Sequence, residues 1–144
     1  QPLDLSLWAA VLKKHFSETG LHLEVEPGEY LLKDAGILLL EKTMVEKKKD
    51  TIFLGLDAGF NLAPEPAYYQ LPLQPVTLEL GNGQFIPMRV VGNINEAIDV
   101  WYDKSWMPDM DGQEYLALIN AGAYSSSMAS NHCMRGQFKE FLLT

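Results

Sequence analysis

Residues 114–131 read EYLALINAGAYSSSMASN, a strand-like run that leads into a segment of small residues. The apolar run predicts a β-strand, and Gly122 predicts a turn directly after it. Glycine and small hydroxyl residues let a backbone approach a ligand closely, and Tyr124 places one aromatic hydroxyl among them. A tight turn is the simplest local interpretation, and a ligand-binding strand end is the alternative. The rest of the chain decides between the two.

Length and charge indicate one domain-sized unit that does not bind nucleic acid. The chain has 144 residues, 47% of them hydrophobic and 21% charged, which is an ordinary globular balance. Its net charge is −8 and it contains only two arginines, which argues against nucleic acid or an anionic membrane surface as partner. No apolar run approaches the ~20 residues that a membrane span needs.

The single cysteine and the first residue suggest where the protein works and how it was made. Cys133 is the only cysteine, which excludes an internal disulfide and favours a reducing compartment, so we expect a cytoplasmic protein. The chain begins at Gln1 rather than at Met, and we therefore expect a fragment or a processed product.

The N-terminal part predicts a helix and then extended chain. Residues 4–18 carry apolar side chains at helical spacing, with Asp4 as N-cap and Gly20 as stop. Residues 21–25 alternate apolar and polar side chains and predict a strand. Residues 30–33 are expected to be extended as well, followed by a turn.

The remaining chain predicts a mainly β protein. Two hairpins are expected, residues 37–56 around a charged tip and residues 76–91 around Asn82-Gly83, and residues 138–143 predict a last strand. Prolines crowd residues 64–75 and argue against helix there. One helix followed by seven to nine strands without helical crossovers is typical of an antiparallel β-barrel or sandwich.

Motifs for metal binding or nucleophilic catalysis are weak. The acidic loop around Asp109 and Asp111 is too short for the ligand set of a calcium loop. The three histidines are far apart and Cys133 has no second cysteine at metal-ligand spacing, so no metal site is expected. No glycine-rich phosphate loop is present in the sequence.

Four strand-end segments, in this order and spacing, carry a resemblance. They are Glu26-Pro27-Gly28-Glu29, residues 57–69, residues 92–99 and residues 120–131. Together they resemble the C-terminal part of the pyridoxal-phosphate-dependent decarboxylases of the diaminopimelate, ornithine and arginine type, over about residues 21–143. The block from Asn120 to Asn131, with Ala-Gly-Ala-Tyr and Ser-Met-Ala-Ser-Asn, is the most specific part.

This resemblance implies an alanine-racemase-like layout. Residues 1–33 would be the last helix and strand of a truncated cofactor-binding (β/α)₈ barrel, and residues 34–144 the C-terminal β-barrel domain. In the family, sites form at a homodimer interface. The loop of residues 92–99 would therefore act in the site of the partner subunit.

The resemblance also implies roles for individual residues. Glu26 would pair with the pyridinium nitrogen of pyridoxal 5'-phosphate, because an anion keeps that nitrogen protonated and the ring able to accept electrons. Gly28 and Tyr124 would contact the cofactor, with the Tyr124 hydroxyl donating to its phosphate. Tyr69 and Glu96 would line the substrate side.

Three positions depart from the family pattern. Asn95 stands at the catalytic cysteine position, and an amide cannot donate a proton usefully near neutral pH. Cys133 could replace that cysteine, although a structural thiol is its default role. Glu29 stands where the family has an arginine near the phosphate. Glu65 stands where an arginine takes the distal carboxylate of diaminopimelate, and a carboxylate suits an amine or other cation better.

The expected function is that of a piece of a decarboxylase. The lysine that binds the cofactor covalently in the family lies on the first barrel strand, and none of the nine lysines here is placed for it. We therefore expect a carboxy-lyase for a small amino acid when complete, and an inactive fragment alone. The alternatives are a non-catalytic homologue that regulates or dimerises with an active relative, and a plain β-barrel binding module.

Overall fold

The computed structural model describes residues 3–78 and 84–144, most of which belong to strands, turns and connecting loops. Its helices are α1 (Leu5–Phe16) and α2 (Glu65–Tyr69), and its strands are β1 (Ile37–Lys48), β2 (Thr51–Leu56), β3 (Gln74–Thr77), β4 (Ile86–Val91), β5 (Val100–Met107) and β6 (Tyr115–Ile119). Within these ranges, neither helix has the length and apolar character that crossing a membrane requires.

The six strands form one strongly bent sheet in the order β3-β6-β1-β2-β4-β5. Strand β1 serves both halves, because residues 37–41 pair with β6 and residues 42–48 pair with β2 around an irregularity between Lys42 and Met44. The edge strands β3 and β5 approach each other, so the sheet nearly closes into a barrel. Four of the five pairings are antiparallel and only β2 with β4 is parallel, which confirms the predicted mainly antiparallel β fold.

The core lies inside this near-barrel and is filled by alternate residues of the strands. Since successive strand side chains point to opposite faces, every second residue reaches the interior. Fully buried side chains come from four of the strands: Leu54, Leu56, Met88, Val90, Trp101, Met107, Leu116 and Leu118. The interior is therefore packed with side chains, and any binding site must lie at the strand ends.

Helix α1 begins as predicted but packs differently. The Asp4 carboxylate accepts hydrogen bonds from the backbone N–H groups of Ser6 and Leu7 at 2.9 and 3.0 Å, which satisfies two of the free donors of the first turn. None of its residues is buried, so the apolar stripe is left open to solvent.

Two stretches predicted to be extended differ in the structure. Residues 21–27 are assigned to no helix or strand, because a strand requires a neighbour and no described segment pairs with them. The expectation for residues 30–33 is wrong, since the chain turns there and the Lys33 N–H bonds the Glu29 carbonyl oxygen at 2.9 Å. The strand predicted over residues 138–143 is also absent from the described part of the chain.

The proline-rich segment and the second hairpin also depart from expectation. Residues 65–69 form α2 with Pro66 near its start, where the missing N–H costs nothing because first-turn donors have no intrahelical partner. Strands β3 and β4 form, but β3 pairs with β6 while β4 lies between β2 and β5. The predicted turn Asn82-Gly83 lies outside the described residues. The first hairpin is confirmed, with β1 running on to Lys48 and a turn at Lys49 and Asp50.

A close backbone contact joins the N-terminal segment to the strand end after β6. The Ala121 N–H donates to the Gly36 carbonyl oxygen at 2.9 Å, and the Gly122 N–H donates to the Lys33 carbonyl oxygen at 3.0 Å. A Cβ atom on Gly122 would overlap the carbonyl oxygen of Leu32. Only glycine therefore allows the two turns to meet.

We expect Gly122→Ala to destabilise the protein by about 1–3 kcal/mol, because the added methyl group pushes the two backbone segments apart. The measurement is the urea midpoint of unfolding of the purified protein. Ser126→Ala, at an exposed position in the same segment, is the matched control and should change the midpoint little. Equal stability of the Gly122 variant and the control would show that the contact contributes nothing.

Candidate functional site

Two predicted cofactor contacts, Gly28 and Tyr124, lie directly against each other. A Cβ atom built on Gly28 would lie 2.7 Å from the Tyr124 hydroxyl oxygen, so the absent side chain is what lets the tyrosine approach this backbone. Tyr124 remains 38% exposed, and within the described residues its hydroxyl makes no hydrogen bond. An unpartnered hydroxyl beside bare backbone is a place where an anionic group can be bound.

Asp99 holds the two neighbouring loops in place. Its carboxylate is buried and accepts the N–H groups of Phe60 and Ile94, each at 2.7 Å. Gly59 and Gly92 lie beside the carboxylate and leave no room for a side chain. Burial raises the pKa of Asp99, and the two backbone hydrogen bonds partly oppose that rise. One aspartate thus ties residues 57–61 to residues 92–99.

The loop of residues 92–99 is further fixed through its backbone. The Asn93 N–H donates to the Ala58 carbonyl oxygen at 3.1 Å, and the Glu96 N–H donates to the carbonyl oxygen of Ile94 at 2.8 Å. The loop exposes Asn95 and Glu96. Their backbone is therefore held while their side chains are exposed.

A buried amide organises the third segment. The Asn61 side-chain N–H group donates to the carbonyl oxygens of Ser130 and Arg135, both at 3.0 Å, and the Ser130 N–H donates back to the Asn61 carbonyl oxygen at 2.9 Å. Asn61 is only 2% exposed. It therefore closes residues 130–135 into a loop whose tip carries His132 and Cys133.

The two loops meet at Glu96 and His132. The Glu96 carboxylate hydrogen-bonds the Nε2 atom of His132, and the ring of Phe60 packs against the imidazole with centroids 5.2 Å apart. The Cys133 thiol, the Glu96 carboxylate and the His132 ring each offer an atom within 4.8 Å of the others. Sequence spacing did not indicate this group, because 36 residues separate Glu96 from His132.

Glu29 and Glu65 are two of the positions that depart from the family pattern. Each influences the pKa of the other, and we call them the acid pair. Glu65 is 1% exposed at the start of α2, and its interaction with Glu29 shifts the pKa values of the two carboxyl groups in opposite directions. Lys33 Nζ lies 2.5 Å from the other side of the Glu29 carboxylate. In the sequence the two residues were unconnected changes, whereas in the fold each contributes to the pKa shift of the other.

The pKa values of the two acids shift in opposite directions from their ordinary value. Burial, and then the hydrogen bond with Glu29, raise the pKa of Glu65 to about 7. The same hydrogen bond, together with Lys33, lowers the pKa of Glu29. Between the lowered pKa of Glu29 and a pH of about 7, Glu65 is therefore protonated and Glu29 is ionised.

Three predicted site residues stand apart from these contacts. Glu26, Asn95 and Tyr69 are exposed, and their side chains form no hydrogen bonds within residues 3–78 and 84–144. Their roles stay predictions. The structure thus brings together three pairs of residues: Gly28 with Tyr124, Glu29 with Glu65, and Glu96 with His132.

Comparison with known proteins identifies the domain. Residues 23–122 match the family described as "Pyridoxal-dependent decarboxylase, C-terminal sheet domain". The chain is 32% identical to the diaminopimelate decarboxylase of Methanothermobacter thermautotrophicus over 99% of its own length and 35% of the relative's. It is 29% identical to the Escherichia coli K12 diaminopimelate decarboxylase, over 94% of its own length and 36% of that enzyme's.

A solved structure shows the same fold. The diaminopimelate decarboxylase of Helicobacter pylori, complexed with L-lysine, superposes with a TM-score of 0.76 at 25% identity, over 92% of this chain and 33% of that one. The chain thus spans about a third of the length of the relatives that it matches. The chain belongs to the pyridoxal-dependent decarboxylases, and residues 23–122 correspond to their C-terminal sheet domain.

Proposed function

We propose that this chain supplies part of the cofactor and substrate site of a pyridoxal-phosphate-dependent amino-acid decarboxylase. The observation that carries the proposal is the contact between Gly28 and the unpartnered Tyr124 hydroxyl. Family membership supports the reaction class, and the geometry supports the place of the site. The division into a barrel remnant at residues 1–33 and a β-domain at residues 34–144 is part of the proposal.

The residues present fit the cofactor. Gly28 leaves a bare stretch of backbone beside Tyr124, and the small residues that follow the tyrosine leave clearance for a phosphate. A hydroxyl that donates to an ionised group forms one of the stronger neutral-to-charged hydrogen bonds. Tyr124 would thus hold the phosphate, and Glu26, exposed two residues before Gly28, would hold the ring.

The chain's side chains would then determine which atoms of the cofactor and substrate are protonated. Bound pyridoxal phosphate supplies an electron sink for the electrons that carbon dioxide leaves behind. The Glu26 carboxylate would keep the ring nitrogen protonated by pairing with it. Asn95 cannot donate a proton near neutral pH, so it would orient the substrate rather than protonate it.

The Glu29 and Glu65 pair would select the substrate. With one proton, the two carboxyl groups carry a single negative charge that Lys33 balances. They would therefore take a further cation by releasing that proton, and they would repel a second carboxylate. A bound ammonium or guanidinium group would favour ionisation of both acids. We therefore propose an amino acid with a cationic side chain as substrate, and not diaminopimelate.

Exposed apolar surface supports a larger assembly. Leu21, Leu23 and Val25 are exposed, and the C-terminal Leu142 and Leu143 are 89% and 88% exposed. Large apolar side chains left exposed in this number support an interface with another part of the protein. We propose that the remaining barrel covers part of it and that a homodimer places residues 92–99 in the partner's site. A single exposed thiol fits a cytoplasmic location.

We expect the intact protein that contains this chain to release carbon dioxide from lysine, ornithine or arginine in a pyridoxal-phosphate-dependent manner. The quantity compared is kcat/KM for each of these amino acids and for meso-diaminopimelate. The cationic side chains should be preferred by at least about tenfold, because a second carboxylate would face Glu29 and Glu65. The 144-residue chain alone should release none.

A preference for diaminopimelate would contradict the role of the acid pair. Cofactor retention without release of carbon dioxide from any of the four substrates would favour the non-catalytic homologue instead. Glu65→Gln should narrow the difference in kcat/KM between cationic substrates and diaminopimelate, whereas Glu18→Gln, at an exposed site in the turn after α1, should not.

The acid pair also predicts how stability depends on pH. The pKa of Glu65 is about 7 in the folded chain, above its ordinary value of 4.5, so the folded state holds a proton that the unfolded state releases. The free energy of unfolding should therefore fall as the pH rises from about 4.5 to 7. Glu65→Gln removes this contribution, and we expect the variant to be more stable than the parent at pH 8 by about 1–3 kcal/mol.

The check is a series of urea unfolding midpoints of the purified protein between pH 5 and 8, with Glu18→Gln as control. The urea midpoint of the control should change with pH as steeply as that of the parent protein. If Glu65→Gln showed the same slope as the parent, Glu65 would not carry the raised pKa. The lowered pKa of Glu29 acts in a more acidic window and leaves this comparison unaffected.

A further inference from the structure

We propose that Glu96, His132 and Cys133 form a binding site for a divalent transition-metal ion, with Zn²⁺ as the best match. The three side chains offer a carboxylate oxygen, an imidazole nitrogen and a thiol sulfur, all within 4.8 Å of one another. This combination of ligands is the one that Zn²⁺ prefers in proteins. The inference rests on these residues and does not depend on the proposed decarboxylase function.

The spacing is close to what a metal requires. Zinc-ligand bonds of about 2.0–2.3 Å in tetrahedral geometry separate neighbouring ligand atoms by roughly 3.5 Å. Ligand atoms that already lie within 4.8 Å need shifts of only about an ångström to reach that separation. The hydrogen bond between Glu96 and His132 would open, and both side chains would turn toward the ion.

Both loops that carry the ligands are held by buried groups. The Asp99 carboxylate fixes the loop of Glu96 through the N–H groups of Phe60 and Ile94. The Asn61 amide closes the loop that carries His132 and Cys133. Since the backbone is preorganised, binding would cost mainly the rotamer freedom of three side chains.

The backbone at the loop tip brings two neighbouring residues to the same side. Successive side chains of an extended chain point in opposite directions, which would separate His132 from Cys133. Cys133 has a φ of +54°, in the left-handed region that residues other than glycine, asparagine and aspartate rarely adopt. This turn places the thiol near the imidazole and the carboxylate.

The site is accessible and incomplete. The Glu96 and His132 side chains are 40% and 42% exposed, so an ion can enter from solvent. Three protein ligands leave a fourth position for water or another ligand, as in catalytic zinc sites. Because Glu96 is also proposed to line the substrate side, a bound metal would compete with the substrate for this carboxylate.

The test is titration of the intact protein, free of pyridoxal phosphate and kept reduced, with Co²⁺ and Zn²⁺. We expect one ion per chain, a cobalt-thiolate charge-transfer band in the near ultraviolet, and displacement of Co²⁺ by Zn²⁺. Affinity should fall with decreasing pH, because the thiol and the imidazole must lose their protons to bind.

Variants distinguish a three-ligand site from a lone thiol. Cys133→Ser should abolish the charge-transfer band. Glu96→Gln and His132→Ala should each weaken metal binding by more than about 100-fold, which exceeds the loss typical of residues that only hydrogen-bond a metal ligand. His22→Ala removes a histidine that is paired with exposed Glu24 and serves as the matched control. All four positions are exposed, so we expect the variants to fold, and circular dichroism is the check.

Two results would overturn the proposal. One is the absence of a charge-transfer band at saturating Co²⁺. The other is affinity that depends on Cys133 but is unchanged in the Glu96 and His132 variants, which would indicate a lone surface thiol. Because neither cofactor nor substrate enters the experiment, its failure leaves the proposed decarboxylase function untouched, and the reverse also holds.

Discussion

The arrangement of the candidate site depends on one buried carboxylate, that of Asp99. Taking an ionised carboxylate out of water is costly unless backbone or side-chain donors compensate for the lost hydration. The N–H groups of Phe60 and Ile94 provide that compensation at 2.7 Å each. Because these donors belong to different loops, Asp99 can be satisfied only when both loops take their observed positions. Glycines at 59 and 92 make the approach possible.

A second buried polar group, the Asn61 amide, fixes residues 130–135 in a similar way. Asn61 follows the loop that Asp99 holds, and its amide group binds two carbonyl oxygens of residues 130–135. Both N–H donors of the Asn61 amide have partners in this arrangement, and moving the segment away would leave these buried donors unpaired. The buried Asp99 and Asn61 side chains therefore hold the two loops that bring Glu96, His132 and Cys133 together.

Local patterns predicted the fold where each segment finds its partner within the described chain. The first hairpin, the strand before Asn120 and the N-cap at Asp4 all formed as expected. Residues 21–25 and 138–143 show strand-like patterns but no pairing, because a pattern cannot supply the neighbour that a strand needs. Pro66 was misread since a proline in the first turn of a helix has no hydrogen bond to lose.

Sequence motifs predicted individual residues of the candidate site but not the partners that these residues have in the fold. Motif order pointed to Gly28 and Tyr124, and the structure brings them together. The sequence did not predict which residues lie together in the fold. Glu29 and Glu65 were interpreted as two separate replacements of arginine, and nothing in the sequence linked Glu96 to His132. Linear spacing shows which residues are unusual, whereas their partners follow from tertiary structure. Glu29 and Glu65 influence each other's pKa, and on this we base the proposal that together they favour a cationic substrate.

The central claim is that Tyr124 helps to hold the cofactor phosphate. Its most direct test is the dissociation constant of pyridoxal phosphate for the intact protein and its Tyr124→Phe variant, with Tyr115→Phe, at an exposed strand position, as control. Loss of a hydrogen bond to a charged group should weaken binding by roughly 10- to 100-fold in the Tyr124 variant alone. Unchanged affinity in that variant, or an equal loss in the control, would remove Tyr124 from the site.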